Sequence, residues 1–188
     1  MNVKGLDADP LRGRRAELVR AAYRRVAAGG FEGLRTRDVA AEVGVNVATL
    51  HYYFPTKEAL IRAVVAYAMS RFASTLSGEG PPRDQLRSHL RGLRRLLHEE
   101  PALPAVMSEL AMRANRDPAI ADILHTGDSA WHRWLARLLG DDPNADGKAS
   151  VIMSTMRGLF VMPAIAGDSD HVDPALKALE ALLGLDAG

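Results

Sequence analysis

The chain of 188 residues contains no cysteine, so it has neither a disulfide framework nor a thiolate metal site. It lacks an apolar run long enough to cross a membrane, and its first residues lack the apolar segment of a secretory signal. A soluble, cytoplasmic protein is therefore expected. The motifs G-x-S-x-G, G-x-x-x-x-G-K-[ST] and H-E-x-x-H are also missing, so the sequence indicates neither an enzyme nor a cofactor.

The chain has apolar residues at helical spacing, and no stretch shows the alternation of a strand. This pattern predicts an all-α protein after a flexible arm over residues 1–11. Predicted helices cover residues 14–28, 36–43, 47–53, 57–76, 84–99, 101–115, 117–139 and 148–166, and a last one begins at 173. Residues 140–147 are predicted to form a loop.

Residues 36–60, TRDVAAEVGVNVATLHYYFPTKEAL, predict two short helices joined by a tight turn and followed by the start of a third. Thr36 is expected to cap the first helix, and Gly44 suits a left-handed helix end. Asn46 is expected to cap the second helix, which runs to Tyr53. This is the arrangement of a helix-turn-helix, whose second helix lies in the DNA major groove.

The second helix directs Leu50 and Phe54 inward by its periodicity, which leaves mostly polar side chains outside. Their hydroxyl, imidazole and cationic groups suit phosphates and base edges, although single tyrosines could instead serve packing. The predicted DNA-binding residues are Thr36, Arg37, Asn46, Val47, Ala48, Thr49, His51, Tyr52, Tyr53 and Lys57.

The same stretch resembles the TetR family of transcriptional regulators. The matching residues are Thr36, Val39-Ala40, Gly44-Val45, Thr49-Leu50, Tyr53-Phe54 and Lys57-Glu58-Ala59-Leu60. Three residues depart from the family pattern: Asn46 replaces Ser, Ala48 replaces Gly, and His51 replaces a tyrosine that usually contacts phosphate. The resemblance covers about residues 12–65 and implies an all-helical remainder.

The net charge of +1 hides an asymmetry along the chain. Residues 1–54 contain nine Lys and Arg against six Asp and Glu, an excess of +3, so the remainder carries −2. A basic N-terminal part fits a DNA-binding domain. Arg14 and Arg15 at the start of the first helix either reach the DNA backbone or form a solvated helix end.

The sequence divides into the arm (1–11), a helix-turn-helix domain (12–56) and a helical ligand-binding and dimerisation domain (57–188). Residues 148–166 are apolar on more than one face, and the last helix carries a leucine stripe. We expect these two helices to form a homodimer as a four-helix bundle, unless they are core helices of a monomer. The resemblance also implies dimers, and a dimer requires a near-palindromic DNA site.

The central helices are expected to hold a small apolar effector, for which methionine and aromatic side chains provide an adaptable lining. The predicted ligand-binding residues are Met107, Leu110, Trp131, Trp134, Met156 and Phe160. No metal site is predicted, because His125 and His132 lie two turns, about 10 Å, apart along one helix.

The resemblance implies that a ligand in the C-terminal domain moves the helix beginning at Lys57 and releases the operator. The function predicted is therefore a DNA-binding transcriptional regulator, a repressor released by a small molecule. The alternative is a regulator that responds to a protein partner or to no small ligand. A dry, filled C-terminal core would favour that alternative, whereas a large apolar cavity would favour the ligand. Activation in place of repression stays open.

Overall fold

The computed structural model describes residues 13–76, 78–167 and 170–185. These residues form helices and connecting segments without any strand, which confirms the all-α prediction. The predicted arm over residues 1–11 lies outside the described residues. The helices are α1 (Arg14–Gly29), α2 (Thr36–Val43), α3 (Val47–Tyr53), α4 (Lys57–Ala73), α5 (Pro82–Glu99), α6 (Ala102–Ala114), α7 (Pro118–Leu139), α8 (Ala145–Ala166) and α9 (Val172–Leu182).

The chain forms two compact units, one up to Ser70 and one from Arg71 onward. The division falls within α4, whereas the boundary predicted from sequence lies at the start of that helix. The predicted boundary at residues 56 and 57 stays a prediction.

The N-terminal unit has a small core that α1, α2, α3 and the first part of α4 enclose. α2 packs against both α1 and α3. Phe31 and Leu34, in the connection between α1 and α2, are buried and belong to this core. The ring of Tyr23 on α1 meets that of Tyr67 on α4 edge to face, with centroids 5.0 Å apart. These contacts fix the helices around the turn that carries α3.

The C-terminal unit contains three helices, α6, α7 and α8, that all pack against one another, while α5 packs against α7 and α9. Burial follows the predicted stripe on α5, whose buried leucines include Leu86, Leu90, Leu93 and Leu97. Asp117 caps α7 by accepting a hydrogen bond from the backbone N–H of Ile120 at 3.4 Å, and Pro118 occupies the first turn.

Basic side chains of α5 fasten α9. Arg94 forms ion pairs with Asp173 and Glu180 at 3.3 and 3.7 Å, and His98 lies 3.0 Å from Asp173. Arg83 and Arg87 donate to the backbone carbonyls of Gly184 and Leu185, just beyond the C-terminal end of α9. The negative end of a helix dipole favours such cations. Arg87 and Arg94 on α5 therefore hold a neighbouring helix.

Five predicted helix starts differ from the structure, and two of them, α6 at Ala102 and α7 at Pro118, lie one residue after the predicted start. α5 begins at Pro82, because proline needs no hydrogen-bond partner at a first turn, and Asp84 lies inside that turn without capping it. α8 begins at Ala145, so the predicted loop over 140–147 ends three residues early. α9 begins at Val172, one residue before the predicted start.

Candidate DNA-binding interface

The helix-turn-helix begins with α2, and its first turn differs from the prediction. Thr36 is the first helical residue, whereas Arg35 occupies the capping position and makes no side-chain cap. The prediction that Thr36 caps α2 was therefore wrong: the extended residue before the helix is Arg35, with φ −113° and ψ 127°. At the other end, Gly44 is left-handed (φ 71°) and its N–H donates to the carbonyls of Ala40 and Ala41.

α3 has the bounds predicted from sequence, Val47–Tyr53. The side-chain oxygen of Asn46 accepts a hydrogen bond from the backbone N–H of Thr49 at 2.7 Å, which confirms the predicted cap. Leu50 and Phe54 are buried, with exposed fractions of 0% and 1%. The inner side of α3 therefore faces the core, and its outer side is left for a partner.

The outer side of α3 brings several predicted DNA-binding residues together. Ala48, His51 and Tyr52 are exposed, and the Tyr52 side chain is 82% accessible. The ring of Tyr53, which is half-buried, meets that of Tyr52 edge to face with centroids 5.2 Å apart. Asn46, at the start of the same helix, is exposed as well. A tyrosine this exposed adds nothing to a core, so the arrangement suits a ligand outside the protein.

The remaining predicted residues lie at helix starts or partly inside. Arg37 is exposed on α2, and Thr36 is half-buried beside it. Lys57 is half-buried in the first turn of α4. The Thr56 hydroxyl accepts from the backbone N–H of Ala59 at 3.1 Å, so it caps α4 as expected. Val47 and Thr49 are half-buried on α3.

Arg14 and Arg15, for which the sequence left two interpretations open, both contact protein groups. The Arg14 guanidinium pairs with Glu17 at 2.6 Å and reaches the carbonyl of Val43, the last residue of α2, at 3.5 Å. The Arg15 guanidinium lies over the Phe54 ring, 5.0 Å from its centroid. These contacts join α1 to the end of α2 and to the end of α3.

Sequence reasoning missed a second link between α1 and α2, centred on Glu42. Arg24 donates to one carboxylate oxygen at 2.8 and 3.0 Å, and Arg25 donates to the other at 2.7 Å. Partial burial raises the pKa of Glu42, but the hydrogen bonds from Arg25 and Arg24 outweigh that effect and keep the pKa below its usual value. A carboxylate is unfavourable in the last turn of a helix, and this misplaced charge was a signal for basic partners.

A shallow cleft of about 270 Å³ lies beside this link. Its lining is mixed in charge and consists of Glu17, Arg20, Arg24, Glu42 and Val43. None of these residues belongs to the predicted DNA-binding or ligand-binding sets.

In the C-terminal unit, the predicted ligand-binding residues are mostly inside the core. Leu110 and Met156 are fully buried, Trp131 and Phe160 nearly so, and Met107 and Trp134 are half-buried. Three of them belong to an aromatic cluster that sequence reasoning did not foresee, because its centre is a histidine. The cluster consists of Phe72, His89, Trp131, Trp134 and Phe160.

His89 is completely buried, and its hydrogen bonds fix its protonation. Trp131 Nε1 can only donate, so His89 Nε2, 3.0 Å away, accepts and carries no proton. The proton is therefore on Nδ1, which faces the Thr75 hydroxyl at 3.0 Å; that hydroxyl in turn donates to the Phe72 carbonyl at 2.7 Å. Burial lowers the pKa of His89 to about 4, against a smaller opposite effect of its hydrogen bond with the Thr75 backbone. The imidazole is neutral at physiological pH.

Two further observations concern membranes and metals. None of the helices in the described ranges is long and apolar enough to cross a membrane. Within those ranges, no three His, Asp or Glu side chains are grouped closely enough to hold a metal ion. Asp128 instead pairs with Arg157, and His132 lies 3.4 Å from the Ser150 hydroxyl.

Comparisons with known proteins agree with this geometry. Residues 18–64 match the family described as bacterial regulatory proteins, tetR family. The HTH-type transcriptional repressor KstR of Rhodococcus jostii is 28% identical over 146 residues, which cover 75% of this chain and 67% of the relative.

Solved structures share the fold over most of the chain. A TetR transcription regulator from Haloarcula marismortui superposes with a TM-score of 0.79 at 22% identity, covering 88% of this chain and 94% of the other. A transcriptional regulator from Saccharomonospora viridis, determined in complex with choline, has a TM-score of 0.69 at 23% identity and covers 92% and 96%. The family and these relatives are regulators of transcription rather than enzymes. In residues 18–64 and in its fold, the chain is therefore similar to the TetR family of bacterial transcriptional regulators.

Proposed function

We propose that this regulator is a repressor: a homodimer that binds a near-palindromic operator and leaves it when a small molecule enters the C-terminal unit. The observation that carries the DNA-binding part is α3, a capped helix with a buried inner side and exposed Asn46, Ala48, His51 and Tyr52 outside. Repression is proposed because the relative KstR is a transcriptional repressor.

The outer face of α8 supports a dimer. Val151, Val161, Met162 and Ile165 are between 37% and 73% exposed, and Leu182 on α9 is 77% exposed. Apolar side chains this exposed, on neighbouring elements at the end of the chain, are typical of an interface. A side chain at Gly158 would meet no atom of the protein, so its backbone is open to close approach by another helix. We propose that α8 and α9 of two protomers form a four-helix bundle.

The proposed ligand site is lined by the apolar side chains of Met107, Trp134 and Phe160, of which the first two are half-buried and the third is nearly closed to solvent. A structural neighbour was solved with choline bound, which illustrates that the shared fold accepts small molecules. A ligand releases DNA only if it binds the DNA-incompetent conformation more tightly than the competent one.

A specific observation favours the second candidate, a regulator without a small ligand. The ring of Phe72 meets the rings of both Trp131 and Phe160, and Leu110 and Met156 are fully closed to solvent. A small molecule would have to displace some of these side chains to enter. If the core stays filled, a protein partner is the signal, or the regulator has none.

The first experiment is selection of bound duplexes from a random library with the purified protein. Enrichment of a near-palindrome is expected, and the separation of its half-sites will match one helical turn, about 34 Å, or a multiple of it. Protein carrying Leu50→Asp, which disrupts the packing of α3, is the matched negative control. Enrichment of single half-sites without symmetry would contradict the dimer, and no enrichment at low salt would contradict the DNA-binding function.

The selected operator then becomes the probe for a ligand. Fluorescence anisotropy of the labelled operator, measured with a panel of apolar and amphipathic compounds, should identify at least one that releases the protein. Met107→Trp, which fills the proposed site, should retain DNA binding and lose the response. Release that is unchanged in this variant would place the ligand elsewhere, and a regulator that no compound releases would fit the second candidate.

A further inference from the structure

Asn46 and Thr49 are joined by two hydrogen bonds that share one acceptor atom. Asn46 Oδ1 lies 2.7 Å from the backbone nitrogen of Thr49 and 2.9 Å from its hydroxyl oxygen, Oγ1. Asn46 is exposed and Thr49 is half-buried, both at the outer side of α3. The pair therefore belongs to the surface that the proposed function directs at DNA.

The donor and acceptor in each bond follow from chemistry. A backbone N–H can only donate, so the Asn46 atom facing it is the carbonyl oxygen and the amide nitrogen points elsewhere. A carbonyl oxygen can only accept, so the Thr49 hydroxyl must donate its proton to the same atom. Both groups are thereby oriented before any DNA arrives.

These two bonds determine which hydrogen-bond donors and acceptors of Asn46 and Thr49 remain available to a partner. Asn46 keeps its amide nitrogen with two N–H donors, and its side chain makes no other hydrogen bond within the described ranges. Thr49 has committed its only proton, so Oγ1 offers lone pairs alone, next to a methyl group. Asn46 therefore presents hydrogen-bond donors to a partner, and Thr49 presents an acceptor.

We propose that these two residues read the operator with opposite hydrogen-bond polarity, an inference that rests on the proposed function. Asn46 donates to an acceptor: N7 of guanine or adenine, guanine O6, thymine O4, or a phosphate oxygen. Thr49 accepts from the exocyclic amino group of adenine or cytosine in the major groove, because among base edges only these groups donate there. A serine at position 46, as in the family pattern, would accept the same backbone bond but would lack the amide donor.

The test is the selection experiment repeated with variants that keep the cap. Asn46→Ser retains a side-chain oxygen for the Thr49 N–H and replaces the two amide N–H donors with a single hydroxyl proton on a shorter side chain. Asn46→Asp retains both accepted bonds and places an acceptor where the donor was. Thr49→Val removes the hydroxyl and keeps a methyl group, while Thr49→Ser does the reverse. Circular dichroism melting of each variant checks that the domain stays folded.

Thr49→Val should lose preference for adenine or cytosine at one base pair of each half-site, roughly tenfold for one lost hydrogen bond, whereas Thr49→Ser should retain it. Asn46→Ser should weaken binding by a similar factor, and Asn46→Asp should weaken it further. A change of base preference in the Asn46 variants identifies a base acceptor, and a uniform loss identifies phosphate.

Two results separate the possible failures. If the unmodified protein enriches no sequence, the proposed function fails and this inference fails with it. If it enriches an operator but Thr49→Val keeps the same base preference, or Asn46→Asp binds as tightly as the unmodified protein, the proposed function stands and this inference is overturned.

Discussion

Replacing His89 with Gln should remove a pH dependence of stability from the C-terminal unit. The free imidazole of an unfolded chain has a pKa of 6.5, whereas burial lowers the pKa of His89 to about 4 in the folded protein. Between these values the unfolded chain binds a proton that the folded protein excludes. The free energy of unfolding therefore falls as the pH falls from 6.5 toward 4, and below about 4 this contribution changes no further.

The size of the effect follows from the two pKa values. At 1.36 kcal/mol for each unit of pKa, the difference between 6.5 and about 4 gives roughly 3 kcal/mol. That amount is a large share of the stability of an ordinary domain, so the effect should be measurable. The physical cause is twofold: a buried cation loses its hydration, and a protonated Nε2 would face the N–H of Trp131, donor against donor.

Urea unfolding at several pH values provides the assay. Trp131 and Trp134 are the only tryptophans in the chain, and both rings lie close to that of His89, so their fluorescence reports on this unit. Gln can still accept from Trp131 through its side-chain oxygen. The stability difference between the native protein and His89→Gln, at one protein concentration, cancels the other titrating groups. A difference that stays constant across the range would refute the reasoning.

Three other predictions concern the DNA-binding unit and the dimer. Lys57→Ala should weaken binding to all sequences and reduce the slope of log affinity against log salt by about one, measured by anisotropy at several salt concentrations; an unchanged slope would remove Lys57 from the phosphate contacts. Gly44→Ala should lower the free energy of unfolding by about 1 kcal/mol, because φ is 71° there. Its control, Gly158→Ala on a helix with open space, should not destabilise an isolated protomer. Ile165→Glu should give monomers in sedimentation velocity and weaken operator binding, and a dimeric variant would exclude this part of α8 from the interface.

The sequence was sufficient to predict the bounds of those helices whose ends carry a local signal, such as a capping residue or a proline. α3 is the clearest case, since Asn46 caps one end and Pro55 follows the other, and both bounds agree with prediction. The capping residue of α2 and the starts of α5 and α8 were predicted less accurately. A threonine, an aspartate or a loop-like composition was taken as the boundary there, whereas backbone geometry places it one to three residues earlier.

The contacts between residues distant in the sequence could not be predicted from it, for a physical reason. Arg15 lies over Phe54, and Glu42 joins Arg24 and Arg25, across separations of 17 residues or more. Spacing along one helix reveals neighbours on that helix and says nothing about which helix lies opposite. His89 was overlooked for the same reason, because its partners Thr75 and Trp131 come from other segments.

The attachment of α9 to α5 determines which substitutions the segment after α9 can accept. Arg83 and Arg87 bind main-chain carbonyls of Gly184 and Leu185, and those oxygens are present whatever side chains the two positions carry. Gly184 is needed for its left-handed backbone (φ 65°), but Leu185 contributes its carbonyl independently of its identity. An apolar substitution at Leu185, whose side chain is buried, should therefore preserve the anchoring bonds, whereas deletion of the residue should release the end of α9. Beside the buried face of α9 and the ion pairs of Arg94, part of the docking of this helix is thus determined by the path of the backbone and by two arginines on its neighbour.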